Sequence, residues 1–125
     1  MFYENDWVMR QINMLVQFAA RVIFHKDTVE YDIEDESNLT DTDDLYLKIQ
    51  KLLQEGKICE AEDLLFENRS DTEAYLTLAL DFYQKLSKMS DEELEQHNFS
   101  RQEIYDGLKE VLFRFKGMPE LPVEL

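Results

Sequence analysis

Apolar positions follow a helical period along most of this chain. Val8, Ile12, Leu15, Val16, Ala19, Val22 and Ile23 fall at i, i+4, i+7, i+8, i+11, i+14 and i+15, one stripe of an α-helix. The stripe predicts a long amphipathic helix over residues 5–26, capped by Asn5 or Asp6, with Arg21 and Lys26 near its negative C-terminal end. A second set, Trp7, Met14 and Phe18, flanks the stripe and widens the apolar face beyond what one contact needs. Either the helix lies in a groove that buries both sets, or part of the face meets a second subunit, where aromatics and Met are enriched. The polar face, mainly Arg10, Gln11, Asn13, Gln17 and Arg21, has too few cations for a helix lying in a membrane interface.

Residues 27–44, DTVEYDIEDESNLTDTDD, break the period. Val29, Tyr31 and Ile33 alternate with acids, but a lone strand has no partner elsewhere, so the segment reads as an acidic linker in loop conformation. Asp41, Thr42, Asp43 and Asp44 then open a second helix, where carboxylates favour the free N–H groups, and Leu45, Ile49, Leu52 and Leu53 form its stripe. Gly56 ends that helix as a left-handed cap. A third helix over 57–68 buries Ile58, Ala61, Leu64 and Leu65.

Ser70 with Glu73 has the spacing of a capping box, a hydroxyl and a carboxylate each bonding the other's backbone N–H. The helix it predicts runs to Leu86 with two apolar strips, which marks it as the centre of the core. Ser90 with Glu93 and Ser100 with Glu103 repeat the box, each bracketed by a hydrophobic staple, Met89 with Leu94 and Phe99 with Ile104. The first starts a short turn of helix to His97; the second starts a last helix burying Ile104, Leu108, Val111, Leu112 and Phe115 and ending at Gly117. The tail, 117–125, carries both prolines and reads as extended.

Composition agrees with an all-α chain: 15 aromatics in 125 residues argue for a packed core, while three Gly and two Pro are few for a turn-rich β protein. The length suits a single domain spanning 1–125, with two helical hairpins over 45–116 and the N-terminal helix packed across them. Net charge is −15, and no basic stripe offsets it, so nucleic acid and anionic membranes are not expected partners. The charge is uneven: residues 1–27 hold three acids and three bases, whereas 28–44 hold eight acids and no base. Cys59 is the single cysteine, which excludes an internal disulfide and fits a reducing compartment. With no signal-peptide layout at the N-terminus and no run long enough to span a bilayer, the expected location is cytoplasmic.

Candidate chemistry is sparse. His25 and His97 stand 72 positions apart without a second ligand at metal spacing, and read as surface or capping residues. Asp32, Glu34, Glu36 and Asn38 alternate like the start of a calcium loop, but Ser37 stands where such a loop needs Gly and Asp43 where it needs Glu. No glycine-rich phosphate loop or nucleophile elbow is present, and helical spacing spreads Glu60, Glu62 and Asp63 around a solvated face. Asn38, Asn68 and Asn98 match the glycosylation pattern but each stands before a helix start, where such residues are wanted anyway. Cys59 reads as part-buried and inert. Neither a catalytic residue nor a cofactor or metal site is expected.

Residues 45–69, LYLKIQKLLQEGKICEAEDLLFENR, resemble a tetratricopeptide repeat. Gly56 falls at the inter-helix turn, Ala61 at the small residue where the helices cross, and Leu65 at the bulky site one turn later. Leu45 stands where that family has an aromatic, Asn68 takes a usual small-residue site, and Glu73 replaces the closing proline. The next helix pair, 71–86 and 100–116, has a 13-residue insert where a short turn belongs. More broadly, NDWVMRQINMLVQFAARVIF, EGKICEAEDLLFE and MSDEELEQHNFSRQEI resemble a family of short bacterial helical proteins of unknown function. That resemblance implies a degenerate tetratricopeptide-like fold behind an N-terminal helix, and no activity. The expected function is a non-catalytic protein–protein interaction or scaffold module, with a homodimer as one form of it and Trp7, Met14 and Phe18 as its contact surface. The alternative is a small enzyme or ligand carrier with a pocket between helices one and four, lined by Tyr75, Tyr83 and Met14.

Overall fold

Three helices start on a side-chain oxygen and a carboxylate that exchange hydrogen bonds with each other's backbone, so caps set the element boundaries. The computed structural model describes residues 2–115, with six helices among them: α1 (Phe2–Val22), α2 (Asp41–Gln54), α3 (Ile58–Glu67), α4 (Glu73–Ser87), α5 (Asp91–Gln96) and α6 (Arg101–Arg114). No strand occurs among the described residues, so the fold is all-α. Ser90 with Glu93 opens α5 and Ser100 with Glu103 opens α6, as their spacing predicted. The third box was not foreseen: it joins Thr40 to Asp43 at the start of α2. Ser70 and Glu73 do not form the box expected of them. Thr72 caps α4 through Tyr75 N–H and leaves Glu73 as the first helical residue. Ser70 Oγ lies 2.9 Å from Thr72 Oγ1 instead.

Two helix ends share one geometry on different residues. At Gly56 (φ +76°), Gly56 N–H reaches Leu53 O and Lys57 N–H reaches Leu52 O, the double bond pattern of a left-handed C-terminal cap. At Asn98 (φ +58°), Asn98 N–H bonds Glu95 O and Phe99 N–H bonds Leu94 O, with Leu94 and Phe99 both buried. Asn tolerates this region better than most residues, so its position after α5 was a readable signal. The two turns also meet: a Cβ on Gly56 would come 2.6 Å from the His97 ring.

Helix α1 extends further back and stops earlier than its stripe predicts. Asn5 and Asp6 lie inside it, and it ends at Val22 because His25 turns left-handed (φ +56°) and Lys26 N–H returns to Ala20 O. Helix α6 ends at Arg114, with Phe115 as its cap, short of the predicted Gly117. Gly117 and the tail lie outside the described residues.

One core cluster links every helix. Helix α4 is its centre: nine of its fifteen residues are buried, and it meets α6, α1 and α2. Helix α2 packs on α3 as the first hairpin, and α4 on α6 as the second with α5 in the connection. The N-terminal helix does not spread across both hairpins as expected; it packs mainly on α6, with a smaller contact to α4. Gly107 lets α6 approach closely, since a Cβ there would collide with the Tyr83 hydroxyl and come 2.7 Å from Glu62 Oε2.

Candidate functional site

The α1 face divides as its two apolar sets do. Val8, Ile12, Leu15 and Ala19 are buried, while Met9 and Val16 pack against the core on one flank. On the other flank Trp7 stays 38% exposed and Met14 and Phe18 are half-buried. At 100° per residue these three share one strip, beside the seam with α6. Trp7 meets Tyr105 of α6 edge-on, ring centres 5.9 Å apart, and Lys109 lies 4.5 Å from the Tyr105 ring centre. Gln11, assigned to the polar face by pattern, is in fact buried between Trp7 and Met14 along the strip, its Oε1 without a hydrogen-bond partner among the described residues. Val22, assigned to the core stripe, is instead exposed at the helix end.

On α6, Tyr105 is half-buried and packs against the core, and Phe113 is 78% exposed beside Asp106, Lys109 and Glu110.

The linker is the second organised region. It keeps no regular structure, yet Val29 and Tyr31 are buried. Tyr31 N–H donates to Asp81 Oδ1 (3.3 Å), its hydroxyl donates to Asp43 Oδ1 (2.5 Å), and Gln84 Nε2 donates to Val29 O (2.8 Å). Asp81, buried on α4, also holds Lys85 Nζ at 2.9 Å, and Lys85 reaches Gln50 Oε1 and the Tyr46 hydroxyl on α2. Tyr31 and Tyr46 stack at 4.7 Å. Burial, then the Asp43 bond, pushes the Tyr31 hydroxyl up to about 12. The same bond, with Thr40 N–H, holds Asp43 below the usual carboxylate range. Lys85 is drawn down by burial but ends above its ordinary value through Asp81 and Tyr46.

Asp43, the last position read against a calcium loop, is committed in these bonds. Asp43 is taken by Tyr31 and the cap, and Asp35 accepts from Ser37 N–H and Oγ. Among the described residues no three His, Cys, Asp or Glu side chains converge to hold a metal. An open cleft between linker and α4 is lined by Lys26, Glu30, Asp32, Glu34 and Asp35 among others, a solvated acidic surface.

Tyr75 and Tyr83, expected to line a pocket against α1, both direct their hydroxyls to α3. Tyr75 donates to Leu65 O and Tyr83 to Glu62 Oε2, each at 2.7 Å. Burial raises both phenols, Tyr75 to about 12. Burial also raises Glu62, with the Tyr83 bond opposing and Glu103 and Asp63 adding to the shift. Cys59 is exposed rather than part-buried, with Sγ 3.8 Å from Asn98 O. Desolvation and the carboxylates Glu103, Glu62, Asp63 and Glu60 push its thiol up, away from nucleophilic use. His25 is exposed and His97 caps α5, so the histidines do not converge.

Of the repeat-like positions, Gly56 forms the left-handed turn, and Ala61 and Leu65 are fully buried. No helix among the described residues is long and apolar enough to cross a membrane. No curated protein and no solved structure matches the chain. A family profile matches residues 2–116, and over that span the chain belongs to a family of unknown function, DUF6483.

Proposed function

We propose that this is a non-catalytic interaction module whose contact face is the Trp7–Met14–Phe18 strip of α1. One observation carries the reading: Trp7 is 38% exposed on a strip left outside the packed core, although the same helix buries Val8, Ile12, Leu15 and Ala19 nearly completely. Large aromatics with Met are the composition of contact surfaces, where they bury much area at low entropic cost. The α2–α3 hairpin serves as a degenerate tetratricopeptide-like scaffold, which the left-handed Gly56 and the buried Ala61 and Leu65 support. A single cysteine supports a reducing, cytoplasmic setting, and the three quoted stretches support a bacterial source.

The double variant Trp7→Ser, Phe18→Ser tests the assignment. Losing the Trp7–Tyr105 ring contact and the half-buried Phe18 ring costs about 1–2 kcal/mol, so the variant keeps its far-UV helix signal and melts about 5–10 °C below the parent. Loss of helix content would show that the strip is ordinary core and end the proposal.

A further inference from the structure

Independently of the α1 reading, we infer that α2 and α4 form a binding groove for an extended peptide segment, which residues 27–34 occupy in cis. Its external ligand is a protein segment with the linker's spacing, apolar–x–Tyr–x–apolar, and with basic residues where the linker has acids. Burial alternates along the linker: Val29 and Tyr31 are buried and Ile33 is half-buried, while Glu30, Asp32 and Glu34 are exposed. That is the period of an extended chain with one face down. Yet no backbone group of residues 27–34 bonds another backbone group among the described residues. Side chains take the role of a neighbouring strand. Gln84 Nε2 donates to Val29 O and Asp81 Oδ1 accepts from Tyr31 N–H, partners two residues apart on the linker and three apart on α4. Tyr31 enters between α2 and α4, stacked on Tyr46 with its hydroxyl on Asp43. The groove thus reads two backbone groups, two apolar positions and a phenol, and leaves the alternate positions to solvent. Grooves that bind extended peptides work in this way: main-chain bonds give affinity and pockets for alternate side chains give selectivity.

Shape and bonding fit the linker; its charge does not. The cleft beside it is lined by Glu30, Asp32, Glu34, Asp35 and Asp43, with Lys26 as its single cation among the described residues. The linker's exposed acids therefore repel one another across one cleft. A segment with Lys or Arg at the alternate positions meets Asp43 and the acidic first turn of α2 with attraction instead. A segment held without a ladder, by a few side-chain bonds, also belongs to the part of a fold that opens most readily. An external segment binds only the open fraction, so its apparent affinity rises as the linker is loosened.

A fluorescein-labelled peptide of residues 27–35 carrying Glu30→Lys and Asp32→Lys probes the groove by anisotropy. It is titrated with the parent chain and with the full-length variant Val29→Ser, Tyr31→Ser. The variant is expected to bind it about tenfold or more tightly than the parent, because its own linker no longer competes. Adding Asp81→Ala to the variant removes the backbone acceptor and weakens binding about tenfold or more. The unaltered 27–35 peptide binds more weakly than the lysine form, by a gap that narrows as salt is added. On the parent, saturating lysine peptide speeds hydrogen exchange at Tyr31 N–H as the linker is displaced. A variant that keeps its far-UV helix signal and fails to bind overturns the groove. So does equal binding by parent and variant, or binding indifferent to Asp81→Ala. Equal affinity of the two peptides overturns the basic ligand. If the variant does not fold, exchange at Tyr31 in the parent decides: acceleration by the peptide upholds the groove, and no change ends it. The α1 strip has its own test and stands or falls apart from these outcomes.

Discussion

The linker with its α2 and α4 neighbours and the α1–α6 pair are held by opposite means. The first carries the acids and uses them inward: Asp43 and Asp81, both buried, tie an irregular segment to two helices through Tyr31 and Lys85. The second is neutral in net charge and held by apolar packing, with Trp7 and Phe113 left over at the surface. A segment without a helical ladder must satisfy its backbone some other way, and side-chain carboxylates do it here. A pair of amphipathic helices satisfies its own backbone, so its spare apolar area is free for another contact.

Removing the central carboxylate separates these regimes most sharply. Asp81→Ala deletes the acceptor of Tyr31 N–H and the partner of a part-exposed Lys85, and bonds to charged groups contribute about 1.5–3 kcal/mol. A loss of about 2 kcal/mol in urea unfolding is expected, with faster hydrogen exchange at Tyr31 and little change at α1. Equal loosening of α1 would show that the linker and the α1–α6 pair are not separable.

Gly107→Ala probes the packed side with a smaller effect. The new Cβ gains about 0.5–1 kcal/mol of helix propensity, but it collides with the fully buried Tyr83, and overpacking costs about 1–3 kcal/mol. A net loss of about 1 kcal/mol follows, recovered only in part in Gly107→Ala, Tyr83→Phe, because the ring carbon Cζ at 2.6 Å remains. A stabilised single variant would mean that α6 and α4 can shift apart freely.

The smallest effects are in pH, and they have opposite signs. Asp43 is held below its ordinary value in the fold, so its contribution is present at neutral pH and is lost as pH falls through and below the usual carboxylate range. Glu62 is held above its ordinary 4.5, so its contribution is full below that value and is lost as pH rises through the raised one. Urea midpoints at pH 4 and pH 7 should therefore move closer together in Asp43→Asn and further apart in Glu62→Gln, with pH 7 the more stable. Shifts of the same sign in both variants would refute the assignment.

Helix identity was legible wherever local chemistry decides it. The Ser90–Glu93 and Ser100–Glu103 boxes and the Gly56 turn each need only a few neighbouring residues, and all three formed where spacing put them. The Ser70–Glu73 spacing was equally good, yet Thr72 took the cap, because two hydroxyls in three positions compete and packing of Tyr75 chooses between them. Gln11 shows the limit of the stripe: its chemistry says solvent, yet the fold buries it.

By itself, then, the sequence determined an all-α chain with α4 at the centre, an acidic middle, and an N-terminal helix whose apolar face is too wide. All of these follow from residue type and a 3.6-residue period, which are local. Tertiary structure decided that α1 docks mainly on the second hairpin, that Tyr31 and Asp81 strap the linker to α4, and that Trp7 comes beside Tyr105. Those pairings join residues 50 to nearly 100 positions apart. Periodicity says which face of a helix is apolar; only packing says which neighbour covers it and what is left bare.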